Sequence, residues 1–354
     1  MLPNLLPMRM IYNHYFKQSV LFLFLLIAFG SCKNKSTEEL KTEPIINDSL
    51  SIKLNSPELK AVNAELLDNP NSAELYNKRA NIYITLKQLK EAVNDAKRAI
   101  KLDSTKTDFY MTLVDAYYTQ NNTRLAKELL EIIQKKFPEN VDALLKLAEI
   151  YYIVKQYQKG IDYVNKALKI NDRLAKAYYL KGSIYRESGD TARAVSSLET
   201  AIEQDTKFEN AYIDIALMYA ARKNPIALEY YNNALKINPY NDNTVYARAK
   251  LLQDIGKIDE AIIEYKSILN KNKNCENCYY NLGAIYLEIK KDNKLALENF
   301  TKAIALNPNS AQAYFARGYT YSKLKDKASA KADYNMCLKI QPNFESAIQA
   351  LNEL

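Results

Sequence analysis

The sequence has 354 residues, a formal charge of +8, 28 Tyr, no Trp, only seven Gly and one His. Acids and bases alternate along it without a block of like charge, which describes a solvated surface and not a nucleic-acid footprint. The one histidine, His14, lies in an N-terminal leader, so the chain beyond it has none for a Ser-His-Asp or Cys-His catalytic set or for a His-containing metal site.

The leader reads as a targeting segment and not as fold. Arg9 and Lys17 give it a positive start, with Met8 and Met10 as further candidate start residues. Val20 to Phe29 is an apolar run of ten, well short of the ~20 residues that span a bilayer as a helix. Gly30-Ser31-Cys32 follows. Two small residues directly before a Cys resemble the lipobox of bacterial lipoproteins, with Phe29 where that family prefers Leu. The resemblance implies a signal peptide over 1–31, cleavage before Cys32, and lipid on its sulfur and new amine. The alternative is an ordinary secretory signal. Lys33 stands where an inner-membrane retention signal would have Asp, so the resemblance implies an exported chain anchored at the outer membrane, facing the periplasm or the exterior. Residues 32–56 are polar and carry too little apolar surface to order themselves, which predicts a disordered tether. Pro57 opens a short amphipathic helix that ends at Asp68-Asn69-Pro70. Its Val62, Leu66 and Leu67 would cover the open end of whatever follows, making 57–72 a cap.

From Ala73 the chain repeats itself. The stretch Tyr279 to Pro308 shows the unit: Leu282, Gly283 and Tyr286 share one helical face, and Ala296, Phe300 and Ala303 share another. Gly283 and Ala296 are small enough for two antiparallel helices to approach closely, and Pro308 stops the second helix. The first small site recurs as Ala80, Val114, Ala148, Gly182, Ala216, Ala249, Gly283 and Gly318. The second recurs as Ala92, Ala126, Gly160, Ala194, Ala227, Ala261, Ala296 and Ala330. This resembles the tetratricopeptide pattern W-x2-L-G-x2-Y…A-x3-F…P, with Tyr in the Trp place. The resemblance implies an all-α fold: a right-handed α-α superhelix, a tetratricopeptide solenoid of about eight helix-turn-helix repeats with capping helices. The repeats fall at 73–106, 107–140, 141–174, 175–208, 209–241, 242–275, 276–310 and 311–344, with a C-terminal cap at 345–354. The two small sites are eleven residues apart in the fifth copy and thirteen in the seventh, against twelve elsewhere. Both changes are assigned to the turn between helices, with Pro225 opening the second helix of the short copy.

Chemistry has few footholds. Cys275-x-x-Cys278 has the spacing of thioredoxin-like enzymes but no βαβ context, and Tyr279 in place of His excludes c-type haem attachment. In an exported chain the pair reads as a local disulfide or idle thiols, and Cys337 as a small core residue. No Gly-rich phosphate loop is present, and no nucleophile stands beside a base. The expectation is a non-enzyme with no cofactor and no metal. The resemblance further implies that the first helix of each repeat lines a concave groove for a peptide. The groove set is Met111, Leu145, Tyr179, Ile213, Tyr246, Tyr280 and Phe315, flanked by Tyr118 and Tyr152. Asp115 and Glu149 lie mid-helix among these apolar side chains, which suits a basic, partly apolar segment across the second and third repeats. The implied function is a membrane-tethered scaffold that binds a peptide or partner protein, in envelope assembly. The rivals are a carbohydrate-capturing nutrient-uptake lipoprotein, whose repeats would carry long inserted loops, and a thiol-disulfide redox protein using Cys275 and Cys278.

Overall fold

The computed structural model describes residues 56–354, and all regular structure among them is helical. The leader, Cys32 and all of the expected tether except Ser56 lie outside the described residues. Ser56 itself is the N-cap of α1, Pro57–Asp68, where its hydroxyl accepts from the Leu59 amide. Sixteen helices then pair off. They are α2 (Ala73–Thr85) with α3 (Leu89–Leu102), α4 (Thr107–Thr119) with α5 (Thr123–Lys136), α6 (Val141–Ile153) with α7 (Tyr157–Ile170), and α8 (Ala175–Glu187) with α9 (Thr191–Gln204). The series continues with α10 (Glu209–Ala220) and α11 (Ala227–Ile237), α12 (Asp242–Asp254) and α13 (Ile258–Lys271), α14 (Glu276–Ile285) and α15 (Asn293–Leu306), then α16 (Ala311–Lys323) and α17 (Lys327–Ile340). A last helix, α18 (Glu345–Asn352), packs on α17. Each helix packs on the next in sequence, so the core is a continuous stack and not one central cluster.

Local chemistry sets the boundaries. Ser72, Asn122, Asn140, Asp190, Asn241, Asp292, Ser310 and Asp326 each cap a helix by accepting from the amide three residues on. Between repeats, Asp103, Asn171, Asp205, Asn238, Asn272 and Asn307 accept from the amide two residues on, an Asx turn that ends the second helix. Inside each repeat the turn needs one left-handed residue, supplied by Lys87, Asn121, Lys155, Gly189, Lys223, Gly256, Lys291 and Lys325.

The helices of a pair meet where a small residue faces a large one. A Cβ on Gly283 would lie 2.7 Å from the Phe300 ring, so only glycine lets α14 approach α15 this closely. The facing column of second-helix residues is Ala96, Leu130, Val164, Leu198, Tyr231, Tyr265, Phe300 and Tyr334, all fully buried. It is aliphatic through the fourth repeat and aromatic from the fifth.

Two irregular repeats differ from the sequence expectation. The extra residue of the seventh repeat is not in the turn. It is absorbed at the end of the first helix as a π-helical turn, Tyr286–Lys290, before the left-handed Lys291. One wider turn takes up one residue and leaves the Gly283–Phe300 contact in place. In the fifth repeat Pro225 does not open the second helix, which starts at Ala227 and has 11 residues, not the 14 of α9 or α13. Amides of Ala227, Leu228 and Glu229 bond to carbonyls three residues back, the tighter 3₁₀ spacing.

Four repeats carry a cation where the others bury Leu113, Leu147, Ile215 and Leu282. Arg79 holds Asp95 with two bonds, at 2.6 and 2.9 Å, and Arg317 holds Asp333 with two at 2.8 Å. Arg248 reaches Glu264 at 2.6 Å. Each carboxylate lies sixteen residues on, in the second helix of the same repeat. Sixteen residues back, Asn63, Asn232 and Thr301 accept a further bond, so each guanidinium staples its repeat to the preceding helix. The fourth cation is Lys181.

Candidate interaction groove

The first helices of successive repeats form one wall. Through the first five repeats it is laced by polar links from each first helix to the next. Asn81 donates to the Thr112 hydroxyl at 3.3 Å. Lys146 pairs with Asp115 at 2.9 Å, Lys176 with Glu149 at 3.3 Å, and Arg186 with Asp214 at 2.6 Å. The Lys146 ammonium also sits over the Tyr118 ring, 5.3 Å from its centre.

Burial shapes the titration of this region. Burial alone would lower the Arg186 guanidinium, but Asp214 against it raises it overall. Burial, followed by the Asp214 charge, pushes the Tyr179 phenol up to about 12. Burial followed by Glu187 raises Tyr152. Tyr118 is raised far above the usual phenol range by burial, then by Glu149 and Asp115, and its hydroxyl is buried with no hydrogen-bond partner.

From the sixth repeat the wall changes character. Tyr246, Tyr280, Phe315 and Tyr319 are its partly exposed aromatic residues, and no ion pair among the described residues crosses between these first helices. Three of these rings are seated on a ring of a second helix or beyond, and Tyr319 stacks on Phe315 of its own helix at 6.4 Å. Tyr246 meets Tyr265 at 5.7 Å, Tyr280 meets Phe300 at 5.8 Å, and Phe315 meets Tyr334 at 5.7 Å and Phe344 at 5.1 Å. Asn281 donates to both the Tyr246 and Tyr265 hydroxyls, at 3.0 and 3.1 Å. Rings clamped from behind lose little freedom when a partner covers them.

The sequence-derived groove set therefore divides. Met111, Tyr118, Tyr152, Tyr179, Ile213, Tyr246, Tyr280 and Phe315 are all partly exposed, and all but Ile213 also pack against the core. Leu145 is corrected: it is 4% exposed and belongs to the core under the wall, because Leu144, Leu145 and Ala148 pack together against the next pair. Asp115 and Glu149 are on the wall, but Lys146 and Lys176 already neutralise them. Lipidation at Cys32 falls outside the described residues.

Cys275 and Cys278 are disulfide-bonded at the start of α14, with Cys278 buried. Cys337 is buried, and burial pushes its thiol up to about 11. Among the described residues no three His, Cys, Asp or Glu side chains are grouped to hold a metal, and no helix is long and apolar enough to cross a membrane.

Three tetratricopeptide-repeat family models match this architecture: one over residues 111–176, a second over 299–332, and a third over 73–106, 175–208 and 276–310. The chain is a tetratricopeptide repeat protein. This tetratricopeptide chain is 22% identical over 295 residues to the protein O-mannosyl-transferase TMTC3 of Homo sapiens, a match covering 78% of the chain and 32% of that protein. It is 24% identical over 277 residues to anaphase-promoting complex subunit 3 of Schizosaccharomyces pombe, covering 78% and 36%. The chain thus matches about a third of the length of these relatives. Among solved structures, the C-terminal part of a TPR repeat-containing protein from Cytophaga hutchinsonii superposes with a TM-score of 0.60 at 19% identity, over 67% of this chain and 98% of that one. PilF of Pseudomonas aeruginosa gives a TM-score of 0.50 at 14% identity, over 57% and 92%. These likenesses show the fold. The repeats make the chain a protein-protein interaction scaffold.

Proposed function

We propose that this scaffold is exported, anchored through lipid on Cys32, and holds an extended segment of a partner protein along the wall of first helices, in envelope assembly. The aromatic wall of the sixth to eighth repeats carries the reading. Its partly exposed rings are fixed by buried rings behind them, and aromatic anchors on rigid backing are what partner side chains bind best. The expected basic segment across the second and third repeats gives way, because Asp115 and Glu149 spend their charge on Lys146 and Lys176. An apolar or aromatic partner side chain over Tyr280 and Phe315 takes its place.

The test uses a photo-crosslinking residue placed in cells at Tyr280 or Phe315, and as a control at Ile263 on α13, which is 66% exposed. The reading expects a discrete cross-linked partner from the first two positions only. Equal labelling from Ile263 would count against the groove. Release of the Cys32→Ala variant from the membrane fraction, or its persistence uncleaved, tests the anchor.

A further inference from the structure

Lys181 is the odd member of the four stapling cations. It makes the backward bond, donating to Asn165 at 2.9 Å, as Arg79, Arg248 and Arg317 do to Asn63, Asn232 and Thr301. The forward carboxylate is missing. Sixteen residues on stands Ser197, and its hydroxyl donates to the Arg193 carbonyl at 2.7 Å. No carboxylate among the described residues pairs with Lys181. Burial, unopposed by any acid, lowers its pKa, the mark of a cation short of counter-charge.

The space beside it is open. Lys181 lines a hollow of about 580 Å³ between α7 and α8, together with Asn165, Lys166, Lys169 and Tyr178. The one acid there, Asp162, accepts from Gln158 at 2.9 Å. At Arg248, two repeats along, a hollow of about 320 Å³ opens mainly on the α13 side and is lined by Glu264, which closes the ion pair. The hollow at Arg248 thus carries its own anion beside the arginine, and the hollow at Lys181 is lined by three lysines and one carboxylate, Asp162, that pairs with none of them.

We propose that the seam between the third and fourth repeats binds a phosphate-bearing small anion, held by the half-buried Lys181 with the exposed Lys166 and Lys169 on the same hollow. A lone carboxylate satisfies one cation at each of the other seams. Three ammonium groups suit a group with more than one negative charge, and lysine is an established phosphate binder. The hollow is of small-ligand size. It lies between the second helix α7 and the first helix α8, shares no residue with the groove set, and is independent of the groove reading.

The probe is inorganic pyrophosphate, titrated calorimetrically into the purified mature chain. Saturable binding is expected, with at least tenfold weaker binding in Lys181→Gln. The decisive variant is Ser197→Asp, which installs the carboxylate that Asp95 and Asp333 provide elsewhere. It should raise the melting temperature of the unliganded chain and also weaken pyrophosphate at least tenfold, showing that a folded protein has lost the site. Competition by glycerol 3-phosphate assigns the site to a lipid headgroup phosphate, and its failure assigns it to a soluble polyphosphate. No binding by the wild-type chain, or binding unchanged in both variants, overturns the proposal.

Discussion

The second to fifth repeats and the sixth to eighth share a backbone plan but not a surface. In the first group the wall residues satisfy one another: Asp115 with Lys146, Glu149 with Lys176, Arg186 with Asp214. In the second group the wall is a set of rings, each braced by another ring. The column behind the wall changes at nearly the same point, from Leu130, Val164 and Leu198 to Tyr231, Tyr265, Phe300 and Tyr334. One fold thus divides its work. Where the core residue is aliphatic, cross-repeat charges lace the wall. Where the core residue is a large ring, the wall can present rings of its own on a stiff support, and it is this apolar surface that the proposed function assigns to a partner.

The largest expected effect breaks that support. Phe300→Ala removes the ring on which both Gly283 and Tyr280 rest. It should cost about 3–5 kcal/mol, read by urea denaturation, with hydrogen exchange rising first in α14 and α15. A next test lies inside the charged half. Arg186→Ala leaves Asp214 mostly buried without its cation and should cost about 2 kcal/mol. Asp115→Ala removes a pair whose side chains are 47% and 29% exposed, and should cost less than about 1 kcal/mol. Equal costs would mean that burial does not rank these links. A last effect has the opposite sign. Tyr118→Phe deletes a buried hydroxyl that has no partner and should stabilise the chain by about 1 kcal/mol.

The repeat register was legible because its residues recur at one spacing. The close approach of two helices at Gly283 followed from side-chain size, and the structure adds that the residue facing it is Phe300. The cross-repeat links were harder to see. Asp115 and Lys146 both stood on the first-helix face in the sequence, but adding up charges says nothing about which ones touch. The stapling cations did leave a signal: Arg79, Lys181, Arg248 and Arg317 interrupt a column otherwise filled by Leu113, Leu147, Ile215 and Leu282. Reading sixteen residues on from each finds Asp95, Ser197, Glu264 and Asp333. The π turn at Tyr286–Lys290 was not legible, since an extra residue fits a loop as readily as a helix end until Gly283 is seen pinned to Phe300.

The central claim is that a partner lies over the ringed half of the wall and not over the laced half. Hydrogen exchange of the full chain with and without its cross-linked partner segment tests this most directly. The account predicts new protection in α12, α14 and α16, with α4, α6 and α8 unchanged. Protection centred on α4 and α6, around Asp115 and Glu149, would contradict it.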